Sequence, residues 1–272
     1  MMINKVGVAL ANVRQQKPLV HHITNYVTVN DCANICLAIG GSPIMADAIE
    51  EAADIVSISS SLIINMGTLN ERTVASMLSA GCKANELGIP VVFDPVGAGA
   101  SAFRNEVALK ILETVKCSII RGNLSEIRFL VENHSKTKGV DVAAEDLNSD
   151  ATAIVQKCAK KLNCVIACTG KIDVISDGGN TVLIENGNEM LSDVTGTGCM
   201  CTTLVGAFAG ANEDMLVAAT AGVASMAIAG ELAYERAGQI GLGSFRTAII
   251  DAISKVDGDC LKDRGLIDET KD

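Results

Sequence analysis

The chain has 272 residues, 49% of them hydrophobic and 20% charged, with a formal net charge of -10. That length suits one α/β domain with a sizeable core, and a pI near 4.8 leaves no broad basic surface for a phosphate backbone, which argues against nucleic acid as a partner. Ten cysteines are too sparse in so long a chain for a disulfide-stapled scaffold, so reduced thiols are expected.

The opening MMINKVGVALANVRQQ has neither the apolar h-region nor the small-residue cleavage site of a secretory signal. No apolar run reaches the length a bilayer requires, so no membrane partner and a cytoplasmic location are expected. The pair Cys32 and Cys36 reads as core packing rather than a metal site. Four continuous apolar runs follow, SLIINMG at 61–67, PVVFDPV at 90–96, CSIIRGN at 117–123 and CVIACTG at 164–170, and runs of this kind predict strands buried on both faces. Between the first two, Val74, Met77, Leu78 and Gly81 recur at helical spacing; between the next two, Ala108, Ile111, Leu112 and Val115 do the same. Units of roughly 30 residues in this order build a mostly parallel sheet by right-handed crossovers, with helices on both faces.

The polar stretch 136–147 reads as a surface loop, and Cys164 with Cys168 as strand residues sharing one face. DVISDGG and NTVLIENG, meeting at Gly178-Gly179, predict an antiparallel hairpin on the sheet edge. From Gly198 onward the pattern is helical, over 199–212, 213–237 and 244–256, which makes the C-terminal third helix-rich; residues 216–230 read as a buried helix of small side chains. The polar tail 257–272 is expected to fray. No linker divides the chain, so a single domain over 1–272 is expected.

Each apolar run ends in a polar group: Asn65, Asp94, Arg121 with Asn123, and Thr169. These are carboxyl ends of predicted parallel strands, where open sheets bind ligands. The segment DVTGTGC at 193–199 precedes a helix, and the free amides of Thr197, Gly198 and Cys199 suit an anion such as a phosphate. There is no Gly-x-x-x-x-Gly-Lys-Ser/Thr string and no early Gly-x-Gly-x-x-Gly, so phosphate is bound late in the chain. Asp94 at a strand end and Glu126 one helical turn into the next segment suit magnesium, directly or through water, with Arg121 on phosphate oxygens. Taken alone, Glu126 reads first as an acid at a helix N-terminus, Met45 as an ordinary core methionine, and His21-His22 as ordinary polar packing.

Asn25 in HHITNYVTVND, Met45 in GGSPIMAD, INMGTL, DPVGAGAS, RGNLSEI, the Thr169-Gly170 pair and VTGTGC together resemble the hydroxyethylthiazole kinase family of the ribokinase-like superfamily, in order from about residue 19 to 245. The resemblance implies a ribokinase-like α/β fold and phosphorylation of 5-(2-hydroxyethyl)-4-methylthiazole by ATP with Mg2+, in thiamine salvage. It also implies a homotrimer with shared active sites, for which the separation of Asn25 and Met45 from Gly196 in sequence is a second motive. By motif it assigns Asn25, Val27 and Met45 to the thiazole and Gly196 to its hydroxyethyl arm. Arg121, Asn123, Thr169, Thr197 and Gly198 go to ATP, and Asp94 and Glu126 to magnesium. Cys199 stands where most ribokinase-like kinases carry an aspartate after Gly-Ala-Gly, which makes it the candidate general base; the direction of its pKa shift is not readable from sequence. One departure is Gly241-Leu242-Gly243, where the family leads one to expect proline between the glycines.

Three other readings stay open at this point. A related kinase of another alcohol, such as a hydroxymethylpyrimidine, is disfavoured by the HHITNYV and SPIM segments; a non-catalytic nucleotide or thiazole sensor is disfavoured by the retained Asp94, Glu126 and Cys199. A cysteine hydrolase using Cys199 lacks a histidine in a matching motif, His21, His22 and His134 being the candidates.

Overall fold

The computed structural model describes residues 1–137 and 151–271. Helix α1 (Met2–Gln16) leads to β1 (Leu19–Ile23), α2 (Val29–Ile39), β2 (Ser42–Met45), α3 (Ala52–Ser57) and β3 (Ser61–Asn65). Then come α4 (Glu71–Leu87), β4 (Val91–Asp94), α5 (Ala102–Thr114), β5 (Ile119–Asn123), α6 (Leu124–Thr137), α7 (Ala151–Leu162) and β6 (Val165–Thr169). The hairpin strands β7 (Asp173–Ser176) and β8 (Asn180–Ile184) follow, and a 3-10 turn, Glu189–Asp193, introduces α8 (Thr197–Ala209), α9 (Met215–Ala237) and α10 (Leu242–Lys255). The chain ends in α11 (Gly258–Arg264) and β9 (Ile267–Lys271). The expected surface loop 136–147 lies outside the described residues apart from its first two, which end α6.

One sheet runs in the order β2-β1-β3-β4-β5-β6-β7-β8-β9. Pairing is parallel from β2 to β6 and antiparallel from β6 to β9. Alternate strand residues face opposite sides, as the period of two requires. Val20, Ile63, Val92, Ile119 and Val165 pack with α1, α2, α8, α9 and α10. Ile23, Leu62, Ile64, Phe93, Ile120 and Ile166 pack with α3 to α7. All five residues of β3 and all four of β4 are buried, which is why these strands read as unbroken apolar runs.

Strands β1, β2 and β9 are additions to the sequence reading. β1 carries two histidines and β2 begins Ser-Pro, so neither shows an apolar run; both are completed by pairing, with Pro43 tolerated because β2 is an edge strand. The tail is a correction. Instead of fraying, residues 258–271 form α11, capped by Asp257 Oδ1 accepting from Cys260 N at 2.8 Å, and β9, which pairs along β8. An unpaired β8 edge is a standing demand for a partner, and β9, alternating Ile, Asp, Glu, Thr and Lys, meets it while presenting charge at the new edge.

Helix α9 is long and apolar enough to cross a membrane, yet most of it is buried within the fold, between α8 and α10. Its approach to α8 depends on Gly222, where a Cβ would lie 2.7 Å from the backbone of Val205. At Gly241-Leu242 the absent proline has a mild consequence: Leu242 is the first residue of α10, a position that suits proline but asks no hydrogen bond of it. Gly222→Ala should force α8 and α9 apart and destabilise the protein by about 1–3 kcal/mol, measured as a lowered midpoint of urea unfolding at unchanged slope.

Candidate active site

The carboxyl ends of β3, β4, β5 and β6 place Asn65, Asp94, Arg121 and Thr169 on one edge, and the N-terminus of α8 comes down against it. The turn into α8 is built on glycine for two reasons. Gly196 has φ 92°, in the left-handed region that disfavours other residues, and a Cβ there would lie 2.8 Å from Thr28 Cγ2. At Gly198 a Cβ would stand 2.7 Å from Arg121 Nη1, so only a residue without one lets the guanidinium lie over the helix start. The first helical bond of α8 is Met200 N to Gly196 O at 2.8 Å; the amides of Thr197, Gly198 and Cys199 precede it, as at any helix N-terminus.

Around Cys199 four side chains interlock. Asn25 Nδ2 and Asn65 Nδ2 each donate to Cys199 Sγ at 3.3 Å. Asn65 Nδ2 also donates to Asp94 Oδ2 at 2.8 Å, and Thr202 Oγ1 donates to the same oxygen at 2.7 Å. The other oxygen, Asp94 Oδ1, is buried without a protein partner among the described residues. Arg121 donates to Thr169 Oγ1, and both line a cavity of about 950 Å³ together with Thr197, Gly198, Asp173 and Asn188.

Residues 10–259 match the hydroxyethylthiazole kinase family. The chain belongs to that family. It is 58% identical over 268 residues to the hydroxyethylthiazole kinase of Clostridium beijerinckii, covering 97% of each chain. The solved hydroxyethylthiazole kinase of Pyrococcus horikoshii OT3 superposes with a TM-score of 0.89 at 36% identity, over 98% of this chain and 99% of that one. A ribokinase-like superfamily protein of Enterococcus faecalis, at 12% identity, shares the fold with a TM-score of 0.59 over 94% of this chain and 83% of that one. The expected ribokinase-like architecture is therefore the one this kinase family member adopts.

The other candidate residues fall into three places. Asn25 is buried, its Oδ1 accepting from Thr28 N and Oγ1 at 3.1 Å each, whereas Val27 is 56% exposed and Met45 36% exposed, so Met45 is no core methionine. His21 and His22 are buried, and His21 Nε2 lies 2.7 Å from Ala46 O beside Met45. Because Gly196 packs on Thr28, the fold brings the Asn25 and Gly196 segments together within one subunit; their separation in sequence carries no argument for assembly. Glu126 is also buried, with Oε1 accepting from Gly97 N and Oε2 from Asn123 N, both at 2.8 Å. It ties the DPVGAG turn to the start of α6. Asn123 caps α6, its Oδ1 accepting from Glu126 N at 3.0 Å and Ser125 Oγ at 2.7 Å, and it does not line the cavity.

Three residues of the site had weaker signals. Asn65 was visible only as a polar strand end, and Thr202 only as the position one helical turn after Gly198. Asp173 opens β7, accepts from Gly170 N at 2.9 Å and lines the cavity; its signal was the Thr-Gly-x-x-Asp spacing. Burial pushes Asp173 up to about 6. Burial likewise pushes Asp94 up to about 6, against the pull of the Arg121 charge and the Thr202 hydrogen bond. The Cys199 thiol is pushed up, by burial first and then by the Asp94 charge, against hydrogen bonds from Thr28, Asn25 and Asn65 that pull it down.

In the ligand-free protein the folded state holds the Asp94 proton more tightly than the unfolded chain, whose value is 3.8. Between that value and about 6 the native state therefore binds the extra proton, and stability falls as pH rises through the window. Asp94→Asn removes this dependence: thermal melts without magnesium should show the variant about 5 °C above the parent at pH 7.5, with the gap closing toward pH 4. A constant gap across that range would mean Asp94 titrates normally.

Proposed function

We propose that this chain transfers the γ-phosphoryl group of ATP to the hydroxyl of 5-(2-hydroxyethyl)-4-methylthiazole with Mg2+, as one cytoplasmic kinase domain spanning residues 1–272. The observation that carries the reading is the meeting of Cys199 Sγ and Asp94 through a single side chain, Asn65, beside the Arg121 guanidinium at the start of α8. A candidate proton acceptor and a candidate cation ligand are thereby brought to the edge where α8 presents its free amides.

Arg121, Thr169, Thr197 and Gly198 would hold the phosphates, with charge and backbone donors supplying most of the catalysis in a reaction that asks mainly for positioning. Asn123 takes part through its cap on α6. The donors at Asp94 fit magnesium: both protein hydrogen bonds fall on Oδ2 and leave the buried Oδ1 free. Glu126, each of whose oxygens already accepts a backbone amide, would reach the cation through water, as magnesium commonly permits. When bound, the ion neutralises charge on the transferring group. The thiazole would lie against Asn25, Val27 and Met45, its hydroxyethyl arm near Gly196 directed at Cys199. Cys199 takes the hydroxyl proton as the alcohol oxygen forms its bond to phosphorus, and the electron pair of the broken phosphorus–oxygen bond leaves with ADP. A loose transition state asks little of this base early on.

The exposure of Val27 and Met45 supports completion of the thiazole pocket by a neighbouring subunit, in a homotrimer. Light scattering is expected to give about three times the 28.2 kDa chain mass; an active monomer would refute the shared pocket. ATP consumption against a panel of small alcohols tests the activity itself, with the thiazole alcohol preferred over hydroxymethylpyrimidine, and no turnover on any of them supporting a sensor instead. Cys199→Ala should keep ATP binding while losing roughly 10²-fold or more in kcat, and Glu126→Gln should lower kcat more than it raises the thiazole KM. Parent turnover by the alanine variant from pH 6 to 9 would remove the thiol from the chemistry.

A further inference from the structure

The two asparagines beside Cys199 are held in one orientation each. The ends of a carboxamide look alike, and only partners distinguish them. For Asn65 the decisive partner is the backbone amide of Gly67, which donates to Oδ1 at 3.0 Å; a backbone N–H cannot accept, so the oxygen must face it. For Asn25 it is the backbone amide of Thr28 at 3.1 Å. With both oxygens so placed, both amino groups turn inward. Asn65 uses one N–H on Asp94 Oδ2 and the other on Cys199 Sγ. Asn25 uses one on Asn65 Oδ1 at 2.9 Å and the other on Cys199 Sγ.

The sulfur of Cys199 thus receives two N–H donors from side chains that are 4% and 2% exposed. A thiol sulfur is a weak acceptor, whereas a hydrogen bond to a charged acceptor is roughly twice as strong as a neutral one. Burying two carboxamides for the sake of a neutral thiol would be a poor use of their donors. We propose that Asn25 and Asn65 form a two-donor cradle for the deprotonated sulfur of Cys199, with Asn65 a further residue of the catalytic site. This rests on the phosphotransferase reading above and deepens it. In the reaction the alcohol proton passes to this sulfur, giving the thiol, as the oxygen bonds to phosphorus and ADP departs with the electron pair; the thiol then returns the proton to solvent.

Other groups act on the same sulfur. The Asp94 carboxylate from β4 disfavours a negative charge there, the Thr28 hydroxyl and the Arg121 guanidinium from β5 favour it, and the Cys32 thiol from α2, pushed up to about 12 by burial, stays neutral beside it. The cradle supplies what Arg121, engaged with Thr169, does not: donors in direct contact with the sulfur. Asn65 also makes the sulfur and the carboxylate share one amino group, so neither can shift without the other. That linkage distinguishes a built arrangement from two amides that happen to pack nearby.

The experiment is the pH profile of iodoacetamide alkylation at Cys199 in the full-length, ligand-free protein, read by mass spectrometry of the Cys199 peptide. Peptide resolution separates it from exposed Cys82 and half-buried Cys164 and Cys260. Asn65→Leu removes the donors at similar volume, and Asn65→Asp replaces them with a carboxylate. The expected result is that Asn65→Leu moves the profile up by about one pH unit, slowing alkylation at pH 7.5 about tenfold, and that Asn65→Asp moves it further. In the same proteins kcat should fall with the thiazole KM little changed. Profiles that coincide with the parent's in variants that remain folded overturn the cradle; if Asn65→Leu does not fold, Asn65→Asp decides alone. The alkylation measurement needs no kinase activity. A parent that phosphorylates the thiazole alcohol while the profiles coincide leaves the kinase reading standing without the cradle. A parent inactive on every alcohol whose variants still shift keeps the cradle and loses that reading.

Discussion

The hydrogen bond from Thr202 to Asp94, a buried contact of 2.7 Å between α8 and β4, is the joint on which the candidate site depends. It comes from a helix whose side chains pack the sheet from one face, and it ends on a carboxylate at the sheet's carboxyl edge. Through Asn65 the same oxygen is linked to β3 and to Cys199, at the first turn of that helix. Two elements far apart in the chain are thereby held in a single register at the point where the chemistry would occur. A buried carboxylate costs free energy unless its hydrogen bonds are made, and here two are made on one oxygen while the other remains available.

The close approach of backbone elements makes that joint reachable. Glycines at 196 and 198 let the turn before α8 settle on Thr28 and beneath Arg121, and Gly222 lets α9 press α8 onto the sheet. Arg104 contributes on the other side, donating at 2.6 Å each to Met66 O, Val96 O and Gly67 O. It gathers the backbone that follows β3 and β4, so the strand ends that carry Asn65 and Asp94 are tied to each other beyond the sheet as well as within it. Behind the site, Arg246 of α10 grips both oxygens of Asp31 on α2, one turn from Thr28. A largely buried Asp31 paired to a half-exposed arginine secures the N-terminus of α2 and, with it, the segment that carries Asn25.

The C-terminal segment has a part in the cavity that its polar composition conceals. Asn186 donates to Glu231 Oε1 at 3.0 Å and Arg264 O at 2.9 Å, and accepts from Leu266 N at 2.7 Å. This knot ties the loop after β8, which lines the cavity, to α9 and to the turn between α11 and β9. Arg264 and Leu266 therefore help to hold Asn186 where it lines the cavity.

By itself the sequence determined the class of fold and the edge that matters. Strands buried on both faces leave uninterrupted apolar runs, and the polar residue ending each run marked the carboxyl edge; both signals are local and survive reading one segment at a time. The Gly-Thr-Gly-Cys turn was legible for the same reason, because glycine and a following apolar helix declare themselves within a few residues. Tertiary structure alone decided the rest. β1, β2 and β9 carry too little apolar pattern to be read locally, and they exist because a neighbouring strand supplies their hydrogen bonds. The meeting of Asn25 and Asn65 with Cys199 and Asp94, the bond from Gly97 N to Glu126 Oε1, and the rise of the Cys199 thiol by burial all depend on elements remote in the chain. Hydrogen-bond partners and desolvation are properties of neighbours distant in the chain, and no spacing within a segment encodes them.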